Sequence, residues 1–227
     1  MQVAAITEND RSPLSTSIIV AFERFPNENL PGLFESTKSF STKYEIILVA
    51  GKIESGQDNK KILFNLSQGK PNLVRTRLVL MDLEGDRGVS FGRNLGAFLA
   101  DSSILVFVDD DSLILDDVSP LLELLLANKC QGIQPLLVKL DAETVDSAGD
   151  FIKKVDRTRY NSYCRHTGMP LSKLGNLQAE EVPYLRSAFM IVNKDVFLKI
   201  GLFDSTFIFN FEDVDLGLRM TCAGYRL

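Results

Sequence analysis

The chain has 227 residues, of which 45% are hydrophobic and 24% charged, a composition typical of a soluble globular protein with one large domain or two small ones. Its formal net charge of −5 and the lack of any Lys/Arg-rich run argue against nucleic-acid binding. Three widely spaced cysteines fit reduced thiols better than a disulfide framework. We therefore expect a cytoplasmic protein, and the sequence leaves its association with a membrane open.

Apolar runs and helical periodicities alternate through the first part of the chain, which predicts right-handed βαβ units in an α/β sheet. Apolar runs predict strands at 17–22, 44–50, 77–81 and 104–108. Helical spacing predicts helices at 30–40, 60–66, 90–100 and 119–128, with Ser90 as the N-cap of the third.

The alternation changes after residue 130. We predict a strand at 133–140, a polar irregular stretch at 156–178 that is long enough to be a functional loop, and a strand at 188–192. Helices are predicted at 194–200 and 214–223. The last residues look like the entry to another strand, so we expect a fragment of a longer chain.

Three consecutive carboxylates, Asp109, Asp110 and Asp111, directly follow the apolar run 104–108. Strands of parallel sheets end at an edge where ligands bind. Neighbouring carboxylates repel one another, and burial adds to the cost. Because hard divalent cations prefer oxygen ligands, the sequence predicts a metal site that faces a phosphate-bearing ligand.

A second acidic group, Glu212, Asp213 and Asp215, lies at the start of the last predicted helix. Acidic residues at a helix N-terminus interact favourably with its dipole, so Asp213 or Asp215 taken alone reads as a helix cap. Two acidic groups at sheet-edge positions of one α/β chain favour a shared site instead.

The glycine-containing segment 88–96 lies between the predicted strands 77–81 and 104–108 and includes Arg93 and Asn94. Arg93 could present its guanidinium to a diphosphate, or it could simply neutralise the acidic cluster; the sequence leaves both readings open. The segment lacks the GK[ST] ending of a P-loop and the G-x-G-x-x-G pattern of a dinucleotide site.

Taken together, these blocks resemble the inverting glycosyltransferases of family 2, which have the GT-A fold. The resemblance is carried by Gly88, by Arg93-Asn94-Leu95-Gly96 and by the DxD of Asp109 to Asp111. It continues through Gly201-Leu202-Phe203-Asp204, Glu212-Asp213-Val214-Asp215-Leu216, Arg219 and Gly224-Tyr225. The segment Val145-Asp146-Ser147-Ala148-Gly149 is similar to a rhamnosyltransferase-like branch of that family.

The resemblance implies an α/β fold with a mixed central sheet flanked by helices. It implies an N-terminal extension (1–16), then a nucleotide-sugar-binding half (17–130) and an acceptor-binding half (131–227). The implied activity is hexosyl transfer from a nucleotide-sugar donor to a hydroxyl of a glycan or a lipid-linked acceptor, as in polysaccharide biosynthesis. The implied cofactor is Mg²⁺ or Mn²⁺.

The resemblance also assigns roles to residues. Asp109 and Asp111 are expected to hold the metal, Asp213 to act as general base, and Glu212 to position the acceptor or tune the base. The expected donor-binding residues are Asp110, Arg93, Asn94, Glu23 and Arg24, and the expected acceptor-binding residues are Asp215 and Ser187.

This sequence departs from the family pattern at three places. Val49-Ala50-Gly51 ends the second predicted strand without the Asp that recognises the base, and Glu23-Arg24 replace the usual turn after the first strand. Ser187 stands where the family often has glycine. The nucleotide is therefore left open. The only histidine, His166, is interpreted as an ordinary loop residue.

Three other classes of protein are alternatives to an active transferase. A catalytically inactive nucleotide- or sugar-binding module fits the missing base-recognising Asp but not the intact Glu212-Asp213 pair. A sugar-nucleotide pyrophosphorylase needs a Gly-rich basic loop after the first strand, which 21–26 lacks. A non-enzymatic scaffold leaves the acidic cluster unexplained.

Overall fold

A seven-stranded mixed sheet forms the centre of the computed structural model, which describes residues 2–8, 13–81, 88–208 and 210–227. The strands are β1 (Gln2–Glu8), β2 (Thr16–Phe25), β3 (Tyr44–Ile53), β4 (Leu73–Leu80), β5 (Ile104–Val108), β6 (Gly132–Ile133), β7 (Leu137–Val138), β8 (Val145–Ser147), β9 (Asp150–Lys154), β10 (Tyr160–Cys164) and β11 (Phe189–Asn193). In the central sheet the strand order is β1-β4-β3-β2-β5-β11-β6. The helices are α1 (Leu30–Ser36), α2 (Asn59–Ser67), α3 (Gly88–Leu99), α4 (Ser119–Leu126), α5 (Lys194–Lys199) and α6 (Glu212–Cys222).

Four neighbouring strands of the sheet, β4, β3, β2 and β5, are parallel to one another. All five residues of β5 are buried, as is expected of a strand covered on both faces. The predicted strands of this region and the predicted mixed α/β architecture are confirmed. The segment before residue 16 adds the antiparallel edge strand β1, which pairs with β4.

Helices cover both faces of the sheet. Because alternate strand residues point to opposite sides, each strand contributes to two separate cores. On one face, Ile18 and Val20 of β2 belong to a core that also contains α1, α2 and α4 residues. On the other face, Ile19 belongs to a second core that includes Ala97 of α3 and Leu216 of α6. Within the described ranges, no helix is long and apolar enough to cross a membrane.

The last central strand, β11, runs antiparallel to β5, so its first residue lies beside the last residue of β5. Phe189 is paired with Val108, and the Asp109 N–H donates to the Ala188 carbonyl at 3.2 Å. The chain that enters β11 therefore lies next to the acidic residues that leave β5.

Two predicted elements of the second half were wrong. The predicted strand 133–140 is two short strands in different sheets, β6 and β7, because Pro135 between them has no N–H to continue a ladder. The predicted irregular stretch 156–178 contains β10, which forms an antiparallel hairpin with β9. β10 escaped detection because its residues are mostly exposed and carry no apolar alternation.

Two helix starts also differ from the prediction. Ser90 was predicted to cap α3, but the helix begins at Gly88, and the Ser90 hydroxyl instead donates to the Phe207 carbonyl at 2.8 Å. α6 begins at Glu212, two residues before its predicted start, so the three acidic residues of this region fall in its first turn.

Helix α3 packs on β2 so closely that only glycine fits at one position. A Cβ at Gly96 would lie 2.4 Å from the Ile19 Cγ2. We predict that Gly96→Ala lowers the free energy of unfolding by about 1–3 kcal/mol, as overpacking does in other cores. Urea unfolding measures this, with Gly32→Ala in α1 as control, since there the nearest atom is a Leu113 methyl at 3.3 Å. Equal stability of both variants would contradict the packing.

Candidate active site

The site lies where the end of β5, the entry to β11 and the N-terminus of α6 meet. Helix α3 holds the chain that leads into α6. The Asn94 side chain donates to the Phe203 carbonyl at 2.8 Å and accepts from the Phe203 N–H at 3.1 Å. A Cβ at Gly88 would lie 2.4 Å from the Ile208 carbonyl oxygen, so glycine permits this close approach.

Two consecutive residues before α6 have left-handed backbone conformations, Asn210 at φ 64° and Phe211 at φ 68°. Such conformations are unfavourable for residues with a Cβ and persist only when the surroundings enforce them. Here they turn the chain so that Glu212 and Asp213, the first residues of α6, lie beside Ser187.

Arg93 joins the two acidic groups that the sequence analysis singled out. Its Nη1 donates to the Glu212 Oε1 at 2.7 Å, and its Nη2 donates to the Asp109 Oδ1 at 2.6 Å. The side chains of Arg93 and Glu212 are only 4% and 6% exposed, whereas that of Asp109 is 35% exposed. Of the two readings of Arg93, the geometry shows neutralisation of the acidic groups directly.

Glu212 is held by two donors on one oxygen. The Ser187 hydroxyl donates to Oε1 at 2.9 Å, next to the Arg93 contact on the same atom. The other oxygen, Oε2, is buried and has no hydrogen-bond partner among the described residues. A buried polar atom without a partner is costly, which is typical of functional sites rather than of simple helix caps.

Asp213 accepts two backbone N–H groups, from Ser187 at 3.3 Å and from Val214 at 2.8 Å. Burial, followed by the charge of Glu212, raises the pKa of the Asp213 carboxyl above its usual value. The Ser187 and Val214 N–H groups and Arg93 act in the opposite direction and limit the rise. A carboxylate with a raised pKa is better matched to proton abstraction near neutrality.

The three consecutive carboxylates have three different environments. Asp110 accepts from the side chains of Asn27 at 2.7 Å and Asn29 at 3.3 Å. Asp111 is exposed and has no hydrogen-bond or ion-pair partner in the described part of the chain. Burial raises the pKa of the Asp109 carboxyl, Arg93 opposes the rise, and Asp111 and Asp110 add to it.

The donor set at the end of β5 suits a hard divalent cation, because Asp109 and Asp111 offer carboxylate oxygens at a partly exposed edge. Within residues 2–8, 13–81, 88–208 and 210–227, no three His, Cys, Asp or Glu side chains converge on one point as a closed metal site does.

Of the remaining predicted residues, two are held in contacts within the protein and two are exposed. Asn94 holds the Phe203 backbone, and Asp215 accepts from Arg219 at 2.8 and 2.7 Å. Glu23 and Arg24 are exposed near the end of β2, where Arg24 lies 3.6 Å from Glu54. Their predicted ligand contacts stay predictions.

At the end of β3, where the sequence lacks the base-recognising Asp of the family pattern, the backbone of β2 lies very close. β2 and β3 continue side by side as far as Phe25 and Ile53, and a Cβ at Gly51 would lie 2.9 Å from the Glu23 carbonyl oxygen. A side chain is thus disfavoured at Gly51.

Sequence reasoning missed Asn27 and Asn29, although both follow a predicted strand whose carboxyl end lies at the same sheet edge as Asp110.

An apolar cavity of about 450 Å³ lies elsewhere, between α4, β6 and the last residues of the chain. It is lined by residues such as Leu121, Ile133 and Leu227, and by none of the predicted site residues. We place the site at the acidic edge rather than in this cavity, because Arg93 and the acidic groups that the sequence predicted come together there.

Comparison with solved structures confirms that the chain has the GT-A fold. It is similar to GalNAc-T7 in complex with UDP, GalNAc and Mn²⁺ (TM-score 0.65, 14% identity, 94% of this chain and 41% of that one). It is also similar to TarS of S. aureus (TM-score 0.56, 14% identity, 91% and 33%) and to residues 1–349 of TarS in complex with UDP (TM-score 0.52, 15% identity, 90% and 54%).

These relatives are glycosyltransferases, and the chain spans between a third and just over half of their length. No family model matches the sequence, and no curated protein matches it. At such low identity the comparison establishes the fold; the activity is a separate question.

Arg93 should be the residue on which the stability of this region depends most. We predict that Arg93→Leu lowers the free energy of unfolding by about 3 kcal/mol at neutral pH, because it leaves the buried Glu212 without a counter-charge.

Chemical denaturation at neutral pH measures this loss. Arg159→Leu is the control, since Arg159 forms an exposed ion pair with Asp156 and should cost little. A loss for Arg93→Leu that is as small as that of the control would contradict the buried bridge.

Proposed function

We propose that this chain is the donor-binding and catalytic region of a metal-dependent, inverting glycosyltransferase similar to those of family 2. The observation that carries the proposal is the Arg93 bridge, which brings the DxD residue Asp109 and the Glu212-Asp213 pair to one sheet edge. The GT-A fold shared with transferases that bind UDP supports it.

The donor we propose is a nucleotide-sugar whose diphosphate lies over the end of β5. Asp109 and Asp111 would hold Mg²⁺ or Mn²⁺, and the bound ion would act as a Lewis acid for the departing diphosphate. Asp110, oriented by Asn27 and Asn29, would face the ribose. Arg93 is close enough to Asp109 to add positive charge to the same region.

Asp213 is the proposed general base. It would take the proton of an acceptor hydroxyl while that oxygen attacks the anomeric carbon from the side opposite to the diphosphate. The bond from the anomeric carbon to the diphosphate breaks in the same step, and its electron pair leaves with the nucleoside diphosphate. A single displacement of this kind inverts the anomeric carbon.

The other assigned residues would support these two steps. Glu212 would hold the acceptor or tune Asp213, and Ser187 donates to both carboxylates. Asp215 at the acceptor side and Asn94, Glu23 and Arg24 at the donor side complete the proposed set. The acceptor we propose is a hydroxyl of a glycan or of a lipid-linked saccharide, with residues 17–130 binding the donor and 131–227 the acceptor.

Metal-dependent nucleotide binding should depend on Asp111. We predict that Asp111→Ala abolishes the increase in UDP affinity that Mn²⁺ produces, because it removes an exposed carboxylate from the proposed metal site. Isothermal titration with UDP, with and without Mn²⁺, measures this. Asp116→Ala is the control, since Asp116 lies in the loop after β5 outside the DxD. If Mn²⁺ increased the UDP affinity of Asp111→Ala as much as that of the unsubstituted protein, the assigned metal site would be wrong.

Turnover should depend on Asp213 much more than nucleotide binding does. We predict that Asp213→Asn lowers the rate of UDP-sugar turnover by roughly 10²–10⁴-fold, the usual contribution of a general base, and changes UDP affinity little. In the unsubstituted protein the rate should fall with decreasing pH through the raised pKa of Asp213, because the base must be ionised.

Nucleotide release from a panel of UDP-sugars, measured across pH with Mn²⁺ present, provides these rates. Equal losses of turnover and of UDP affinity would assign Asp213 to structure. Nucleotide binding without any turnover in the unsubstituted protein would favour the inactive binding module instead.

A further inference from the structure

A second buried polar cluster lies next to the site and centres on Asp150, whose side chain is fully buried. Asp150 accepts from the Ser147 hydroxyl at 2.7 Å, from the Gln134 side-chain amide at 3.2 Å and from the Arg186 Nε at 3.1 Å. The cluster thus joins β8, β9, the residue after β6 and the chain that enters β11.

Each of the three nitrogens of the Arg186 guanidinium has a partner within the protein. Besides its contact with Asp150, its Nη1 donates to the Asp146 Oδ2 at 2.5 Å and its Nη2 contacts the Cys164 sulfur. Asp150 at the centre of the network is fully buried, whereas the Arg186 side chain is 29% exposed. A network of paired polar groups of this kind fixes backbone position.

The backbone at Arg186 connects this cluster to the catalytic carboxylates. The Arg186 N–H donates to the Gln134 Oε1 at 2.6 Å. One residue further, the Ser187 N–H donates to the Asp213 Oδ2 at 3.3 Å and the Ser187 hydroxyl to the Glu212 Oε1 at 2.9 Å. Gln134 is therefore linked to both carboxylates through two successive residues.

We propose that Gln134 and Arg186 are positioning residues for Asp213: they fix the Arg186–Ser187 backbone from one side, so that Ser187 can orient the Glu212–Asp213 pair from the other. Gln134 does this with both ends of its amide, which accepts from the Arg186 backbone and donates to Asp150. The proposal rests on the proposed function only for the role of Asp213 as a base.

The charged and titratable groups that act on Asp213 come from three elements. Glu212 lies on α6, Arg93 on α3, and Tyr184 on the segment before β11. Burial raises the pKa of Tyr184 to about 12, so its hydroxyl is neutral near pH 7. The Ser187 N–H lowers the pKa of Asp213 against burial and the Glu212 charge, so its displacement should raise that pKa.

The test is the pKa of Asp213 in the free protein, measured by NMR with ¹³C-labelled aspartate carboxyls and assigned with Asp213→Asn. Gln134→Met removes the anchor of the Arg186 N–H without changing any charge. We expect an upward shift of the Asp213 pKa that exceeds the error of the titration.

Gln131→Met is the matched control. The Gln131 side chain likewise accepts a backbone N–H, that of Arg226 at 3.0 Å, but it has no contact with Arg186 or Ser187. The Asp213 pKa should stay unchanged in this variant. Should Gln134→Met fail to fold, Ser147→Ala removes a neutral donor to Asp150 from the same cluster, and the same upward shift is expected.

The positioning role would be overturned if the Asp213 pKa were unchanged in the folded Gln134→Met or Ser147→Ala protein. It would also be overturned if Gln131→Met shifted this pKa equally. Because the titration needs neither donor nor metal, its result is independent of whether UDP-sugars are turned over. Lack of turnover would refute the proposed function and leave this comparison intact.

Discussion

The buried ion pairs of Arg93 are the interaction on which the rest of the site depends. One guanidinium, almost inaccessible to water, binds the first carboxylate after β5 and the first carboxylate of α6, residues more than a hundred positions apart. Removing buried charges from water is costly, and full pairing offsets the cost only where the geometry is good. The protein thus maintains at this edge an acidic group that a purely structural core has no need for.

The topology of the sheet makes this pairing possible. β11 runs antiparallel to β5, so the chain that enters it passes beside Asp109, and Ser187 lies within reach of α6. Helix α3, held close to β2 by Gly96, carries Arg93 on its buried side and Asn94 against the chain that leads into α6. Backbone packing therefore places the charges, and the charges in turn hold two halves of the sequence together.

Much of this could be predicted from local pattern. The apolar run of β5 followed by three carboxylates located one side of the site, because fully buried strands of parallel sheets have a recognisable composition. Pairing of Arg93 with the cluster after β5 was one of two readings of the sequence, but its second partner, Glu212, could not be predicted, since that contact depends on which strands become neighbours. β10 and the break at Pro135 were missed because exposed or very short strands lack the periodicity on which prediction depends. The Gln134–Asp150–Arg186 cluster was missed for a different reason: its three residues come from three separate segments with no common motif.

The central claim is that the acidic edge beside Arg93 binds a divalent ion together with a nucleoside diphosphate. Anomalous scattering from crystals grown with Mn²⁺ and UDP tests it most directly. We expect a manganese peak between the carboxylates of Asp109 and Asp111 and the diphosphate oxygens, with Glu212 and Asp213 facing the same ligand. A nucleotide bound with its manganese at another place, and these carboxylates without a metal, would contradict it.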